Sequence, residues 1–236
     1  MTPRRKRILR WALGLGLGLP LAFVGVVGFA HTKHGRFLLK YLPGMGACPL
    51  GYDQALTGEK LDATRDAALQ PFKGSTKAAA RPALGFTLGE TTLADVNAWA
   101  SAHGVTCKPD EGNALVPGRS TRCHDVPKSA LVGAPGGVAD LFLQFDSRDA
   151  LVALRASRTG VSAEDAVSGF ATRTADLSQA IGAPSATQGE ADAAYLGLPL
   201  RQLSSTYAYS DYLAEVRATN VGSRIVYDES YQSIRD

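Results

Sequence analysis

The stretch Leu203–Tyr231, LSSTYAYSDYLAEVRATNVGSRIVYDESY, decides the fold. It divides into three runs rich in β-branched and aromatic residues, Leu203–Tyr209, Tyr212–Asn220 and Ser223–Tyr231. Ser210-Asp211 and Val221-Gly222 stand between them as turn pairs. Side chains alternate across a strand, so a period of two in hydrophobicity marks a strand with one buried face. Connections this short join only antiparallel neighbours. Tyr212 shares a face with Ala214 and Val216, and Tyr207 and Tyr209 share one with Leu203; Arg217 and Arg224 take the opposite faces. An antiparallel meander with one apolar face needs a layer of helices to cover it.

The preceding sequence supplies that layer. Ser162 is an N-cap residue, and Val167, Phe170, Thr174, Leu177 and Ile181 follow along one helical stripe that stops at Gly182-Ala183-Pro184. Before it, Asp140–Asp146 and Leu151–Arg158 alternate around Ser147-Arg148-Asp149, the pattern of a hairpin, with Leu141, Leu143 and Phe145 on one face. Short strands are expected around Cys107 and Cys123, with Pro109–Ser120 as the loop between them. An earlier helix opens at Thr92, with Asp95 three residues on, and ends at Gly104; Ala83–Phe86 is expected as an opening strand. The order helix, strands, helix, strands predicts an α+β fold: a two-layer antiparallel sheet with helices on one face, in residues 83–236. It reads as a duplicated αβββ unit, 83–160 and 161–236, resting on element order rather than on a residue-by-residue repeat.

The first thirty residues are of another kind. Arg4, Arg5, Lys6, Arg7 and Arg10 precede an uncharged apolar run from Trp11 to Ala30. Twenty residues at about 1.5 Å each span roughly the 30 Å of a bilayer's hydrocarbon core. The basic flank predicts a cytoplasmic N-terminus, so the expectation is one N-terminal transmembrane helix in the inner membrane with the C-terminal domain in the periplasm. Cleavage near Ala30, after Gly28-Phe29-Ala30, is the alternative and makes the protein periplasmic or secreted. Residues 31–54 form a juxtamembrane segment with Lys33, Arg36 and Lys40. Residues 55–82 read as a flexible linker containing a short polar helix at Glu59–Gln70.

Eight of the 25 Lys and Arg lie in the first forty residues, which leaves seventeen against 22 acids, a charge of about −5 beyond that segment. The positive charge therefore belongs to the membrane flank, and no nucleic-acid partner is expected. In an oxidising compartment Cys107 and Cys123 are the natural disulfide pair, and Cys48 is left over. The rival use of these residues is a metal site built from His103, Cys107, Cys123 and His124. Neighbours on a strand point to opposite faces, which sets Cys123-His124 against it. No nucleophile elbow, zinc-protease helix or phosphate loop occurs, so neither a catalytic residue nor a cofactor is expected; an envelope enzyme using His103 or His124 is the alternative. Tyr207, Tyr209, Arg217 and Arg224 are the candidate interface residues, because tyrosine and arginine are favoured at protein contacts.

Two segments carry a family likeness. Leu88-Gly89-Glu90-Thr91-Thr92-Leu93-Ala94-Asp95-Val96 is similar to the helix start of the small outer-membrane-assembly lipoproteins of the BamE (SmpA/OmlA) type. Leu177-Ser178-Gln179-Ala180-Ile181-Gly182-Ala183-Pro184 resembles the helix exit of that family. Two such units with a cysteine-closed loop resemble the tandem architecture of secreted β-lactamase inhibitor proteins. The likeness covers residues 83–236 and implies a non-catalytic fold that presents a sheet or loops to a protein. The chain lacks the lipobox of the first group and adds a membrane run absent from the second, so no functional residue is carried over. The function expected is that of a membrane-anchored bacterial envelope protein binding an envelope protein partner in an assembly, scaffold or inhibitor role.

Overall fold

The computed structural model describes residues 58–110, 119–132 and 137–235. The apolar run 11–30, the juxtamembrane segment 31–54, Cys48 and most of the Pro109–Ser120 loop lie outside them. No helix among the described residues is long and apolar enough to cross a membrane.

Capping chemistry sets where the helices begin. Helix α1 is Gly58–Leu69 and α2 is Leu93–Ala102. Thr92 and Asp95 form a capping box at the start of α2: Asp95 N donates to Thr92 Oγ1 (3.2 Å) and Thr92 N donates to Asp95 Oδ2 (2.8 Å). Two otherwise unsatisfied backbone donors are met there, and the same bonds hold the Asp95 carboxyl below its ordinary range. Helix α3, Ala163–Ile181, opens on Ser162, whose Oγ accepts from Asp165 N, and a short α4 spans Ala193–Gly197.

Ala83–Phe86 is a tight hairpin rather than one strand. β1 (Pro82–Ala83) and β2 (Phe86–Thr87) flank Leu84 and Gly85, both at positive φ, as a two-residue hairpin turn requires. The main sheet comprises β3 (Cys107–Pro109), β4 (Ser120–Val126), β5 (Ala139–Phe145), β6 (Leu151–Val161), β7 (Ala186–Gln188), β8 (Gln202–Ala208), β9 (Tyr212–Asn220) and β10 (Ile225–Ser233). It is eight-stranded in the order β3-β4-β5-β6-β10-β9-β8-β7, and every pairing is antiparallel. Two four-strand meanders therefore run inward from opposite edges and meet at β6 and β10. Strand β7 and helix α4 are elements that the sequence reading lacks, so the helix α3 half has four strands rather than three. At the other edge Cys107 lies directly opposite Cys123, and the expected disulfide joins them.

One sheet face is the core. Leu141, Leu143, Leu154, Ala156, Tyr207, Tyr212, Val216, Tyr227 and Tyr231 are buried there against Phe170, Leu177 and Ile181 of α3. Two of the tyrosines satisfy their hydroxyls at the rim, Tyr207 donating to Thr174 O and Tyr212 to Pro82 O, whereas the buried Tyr227 hydroxyl has no hydrogen-bond partner among the described residues. In the middle sits a charge. Glu229 is fully buried on β10, with Oε1 accepting from Arg158 Nη1 (2.9 Å) and Oε2 from Arg173 Nε (2.8 Å) and Tyr231 Oη (2.5 Å). Arg173 takes a central place on the stripe of α3, between Phe170 and Leu177. Burial pushes the Tyr231 phenol far up, and the neighbouring Glu229 charge adds to it, so Tyr231 stays a proton donor.

Part of the segment expected to be a flexible linker is helix α1, and it is seated on one end of the sheet by charges. Leu61 is its one buried apolar side chain; Asp62 and Asp66 are buried with it. Asp62 Oδ2 accepts from Ser147 N (3.0 Å) and Oγ (2.7 Å), and Arg235 bridges Asp66 (2.9 Å), Asp62 (3.4 Å) and Asp146 (3.7 Å). Arg65 donates to the carbonyls of Val152 (3.1 Å) and Ser233 (2.9 Å). The chain then crosses the β8–β9 turn, where Gly74 N donates to Tyr209 O and Ala78 N to Asp211 Oδ1. A Cβ at Gly74 would stand 2.1 Å from Ala208 O, so only glycine passes there.

Replacing Glu229 with Ala strands two buried arginines. We expect it to cost about 3–5 kcal/mol in urea unfolding, whereas Arg155→Ala on the solvent side costs under about 1 kcal/mol. Asp146 supplies a pH signature. Burial alone raises its carboxyl, but the Arg148 and Ala150 backbone donors and the Arg148 guanidinium outweigh this and hold it below 3.8. A lowered native value means that the unfolded chain binds the proton first. The stabilisation is therefore complete above about pH 4 and lost as the pH falls through the native value. In melting curves taken across that range, Asp146→Asn should flatten the acid limb; an unchanged limb would remove Asp146 from this role.

Candidate functional site

The alternate side chains of the same strands point away from the helices and remain in contact with solvent. Strand register places Arg122, Phe142 and Arg155 in one row across β4, β5 and β6, continued by Ser230 of β10 and Glu215 of β9. The next row runs Asp140, Ser157, Asp228 and Arg217. Asp110, just beyond β3, closes the edge.

Each arginine in these rows has an acidic neighbour. Arg122 lies 3.5 Å from Asp110, Arg155 3.3 Å from Asp228, and Arg217 3.3 Å from Glu215. His124 Nδ1 lies 3.0 Å from Asp140 Oδ1. Arg122 also stands over the Phe142 ring, 5.7 Å from its centroid. A groove of about 500 Å³ follows these side chains, lined by Asp110, Arg122, Asp140, Phe142, Arg155 and Ser157. Arg155 also belongs to a smaller one of about 90 Å³ with Glu215, Arg217, Asp228 and Ser230. The arrangement is a balanced set of charges, held in place by its own pairs and by the strands beneath, around one aromatic ring. Such a surface offers charges that another surface of matched charge can meet.

Of the candidate interface residues, Arg217 lies on this open face and Arg224 is exposed in the β9–β10 turn. Tyr207 does not offer a surface: it is wholly buried, with its hydroxyl used by Thr174 O and Ser178 Oγ. Tyr209 is half-buried and donates to Ile181 O at the end of α3. Both rings serve the helix–sheet contact, as their shared parity with Leu203 permits. Arg122, Phe142 and Arg155 are the residues that sequence reading missed. The signal was there: with Leu141 and Leu143 turned inward, Phe142 between them has to face out.

The four residues of the metal alternative are not brought together. Cys107 and Cys123 are joined to each other, and Cys123 is buried. A bulge at His124-Asp125, with Asp125 at φ 54°, turns His124 to Asp140 on the open face. His103 caps α2 and its Nδ1 meets Trp99 O at 2.8 Å. Among the described residues no group of three or more His, Cys, Asp or Glu is placed to hold a metal ion.

Comparison with known proteins finds no family model, no curated protein and no solved structure that matches this chain.

The two faces differ in what truncation costs. Phe145→Ala, inside, should lose about 3–5 kcal/mol of unfolding free energy. Phe142→Ala, outside and three residues earlier, should stay within about 1 kcal/mol of the parent. Equal losses in denaturant titrations would mean that the outer face is covered.

Proposed function

We propose that this chain is a membrane-anchored bacterial envelope protein whose extracytoplasmic α+β domain binds another protein through the open face of its sheet. The observation that carries the reading is the row Arg122–Phe142–Arg155 with its paired acids: an ordered, charge-balanced groove on a sheet whose other face alone is needed for the core. A partner gains the buried area of Phe142 and exchanges ion pairs there without having to desolvate lone charges. The uncharged run Trp11–Ala30 after five basic residues supports the anchor, and the Cys107–Cys123 bond supports an oxidising compartment. The mirrored meanders β3–β6 and β7–β10, each following a helix, support a doubled unit of the kind that the BamE-like segments suggest. On this reading the role is assembly, scaffolding or inhibition of a protein, and neither histidine takes part in turnover.

A photo-crosslinking residue tests the face directly. Placed at Phe142 in the full chain in its native cells, it should yield a discrete adduct with one protein. Placed at Asp176, exposed on α3, it should not. Arg155→Glu in the Phe142 background should weaken the adduct at least about tenfold by setting like charges together. Adducts of equal yield from both positions, or none from Phe142, would refute the open face as the contact.

A further inference from the structure

The end of the sheet away from α1 carries a feature that neither the core nor the open face uses. Leu198, Leu200 and Val221 are 52%, 82% and 47% exposed, and backbone pairing sets Leu200 beside the chain at 220–221. Leu200 N donates to Asn220 O (2.9 Å), which continues the β8–β9 ladder past its last pair, Gln202 and Thr219. The loop is not slack. Asn220 Nδ2 donates to the carbonyls of Leu196 and Gly197 (3.0 Å each), Asn220 Oδ1 accepts from Gly222 N (2.8 Å), and Val221 N donates to Arg224 O (3.0 Å). Leu200 itself holds φ at 60°, a left-handed conformation that glycine adopts freely and leucine at a cost. The backbone bond to Asn220 O explains the conformation but not the choice of leucine, whose exposed side chain the fold does not use; strain of this kind clusters at functional sites.

The surroundings indicate what meets it. Arg201 and Arg224 are exposed, Arg201 standing over the Tyr195 ring of α4 (5.3 Å to its centroid), and the segments 197–201 and 220–225 contain no acid. The tip carries three exposed aliphatic side chains with two exposed arginines beside them in sequence. Protein contact centres under-represent leucine and valine. Aliphatic groups beside arginines match the chemistry of a bilayer surface, acyl chains beneath anionic headgroups. We infer that this tip inserts into the headgroup layer of an anionic lipid membrane. Strand β9 runs from the turn that α1's connection crosses to Asn220, so about 30 Å of strand separates the two ends and leaves the tip clear. The inference goes beyond the protein contact proposed above and shares with it only the expectation that a membrane is at hand.

The test uses the full chain with Cys48→Ser and a nitroxide on Val221→Cys, the Cys107–Cys123 bond kept oxidised. The chain is mixed with vesicles of phosphatidylcholine alone or with added phosphatidylglycerol. With the anionic lipid, the label should lose contact with an aqueous nickel chelate and gain contact with oxygen; a label on Ser101→Cys in α2 should not. Arg224→Gln should lower the inserted fraction about fivefold. Leu200→Asp should abolish insertion. Leu200→Gly should abolish it too while holding or raising the melting temperature, because it relieves the backbone and removes only the exposed side chain. An aqueous label in anionic vesicles, or insertion that survives Leu200→Asp, overturns the inference. A label immobilised in native envelope membranes but aqueous in vesicles also overturns it and assigns the tip to a protein. Flotation separates this from the anchor: a chain that floats on neutral and anionic vesicles alike with an aqueous tip on both keeps the anchor and loses the tip, and a chain that floats only on anionic vesicles with an inserted tip does the reverse.

Discussion

Glu229 is a carboxylate with no access to water, and the domain is arranged around that fact. A buried charge is tolerable only where donors surround it. Here they come from three places: Arg158 on β6, Arg173 on α3 and Tyr231 on β10 itself. Arg173 also donates to the carbonyl of Val132, which draws in the segment after β4. Both meanders and the long helix thus converge on one group. The same group fixes register, because a slip of one residue in β10 would turn Glu229 to solvent and set Asp228 or Ser230 against two arginines. Hydrophobic burial supplies most of the driving force for the sheet, but it does not distinguish one register from another as sharply as a charge does.

That division of labour leaves the outer face free. The inner face takes the tyrosines, whose rings fill the space under α3, while the hydroxyls of Tyr207, Tyr209 and Tyr212 donate to backbone carbonyls at its edges. The outer face takes arginines and acids in facing pairs across the strands. A sheet of eight strands has a large second face, and covering it with balanced charge keeps it soluble while fixing each side chain in place. The short edge strands β3 and β7 limit lateral growth, and β3 is further tied down by Cys107.

Much of this architecture is legible in the sequence wherever one physical rule dominates. Strand β9 is readable to the residue, because Tyr212–Asn220 alternates without interruption between two turns. Thr92 and Ser162 cap their helices as read, since few other residues satisfy an N-terminal donor. The failures occur where two rules compete. Arg173 looks like the polar flank of an amphipathic stripe, and only its distant partner Glu229 makes it a core residue. Strand β7 has three residues, all exposed, and carries no apolar pattern at all. Helix α1 shows a polar composition that suggests a tether, yet its carboxylates find Arg235 at the far end of the chain. The open face is half legible: alternation says which side chains point out, but pairing across strands, which makes Arg122, Phe142 and Arg155 neighbours, is a tertiary fact.

The seam between β6 and β10 has a consequence for how the protein is made. Strand β10 is the last strand of the sheet in sequence, yet it occupies the centre. A chain emerging N-terminus first can pair β3 through β6 early, but β6 then presents a bare edge, with Arg158 lacking its carboxylate, until the whole second meander has emerged. Half a domain cannot be banked while the rest is made. Folding must wait for the final strand, and during that interval the exposed edge of β6 is the surface that a holding chaperone, or a neighbouring nascent chain, would find first.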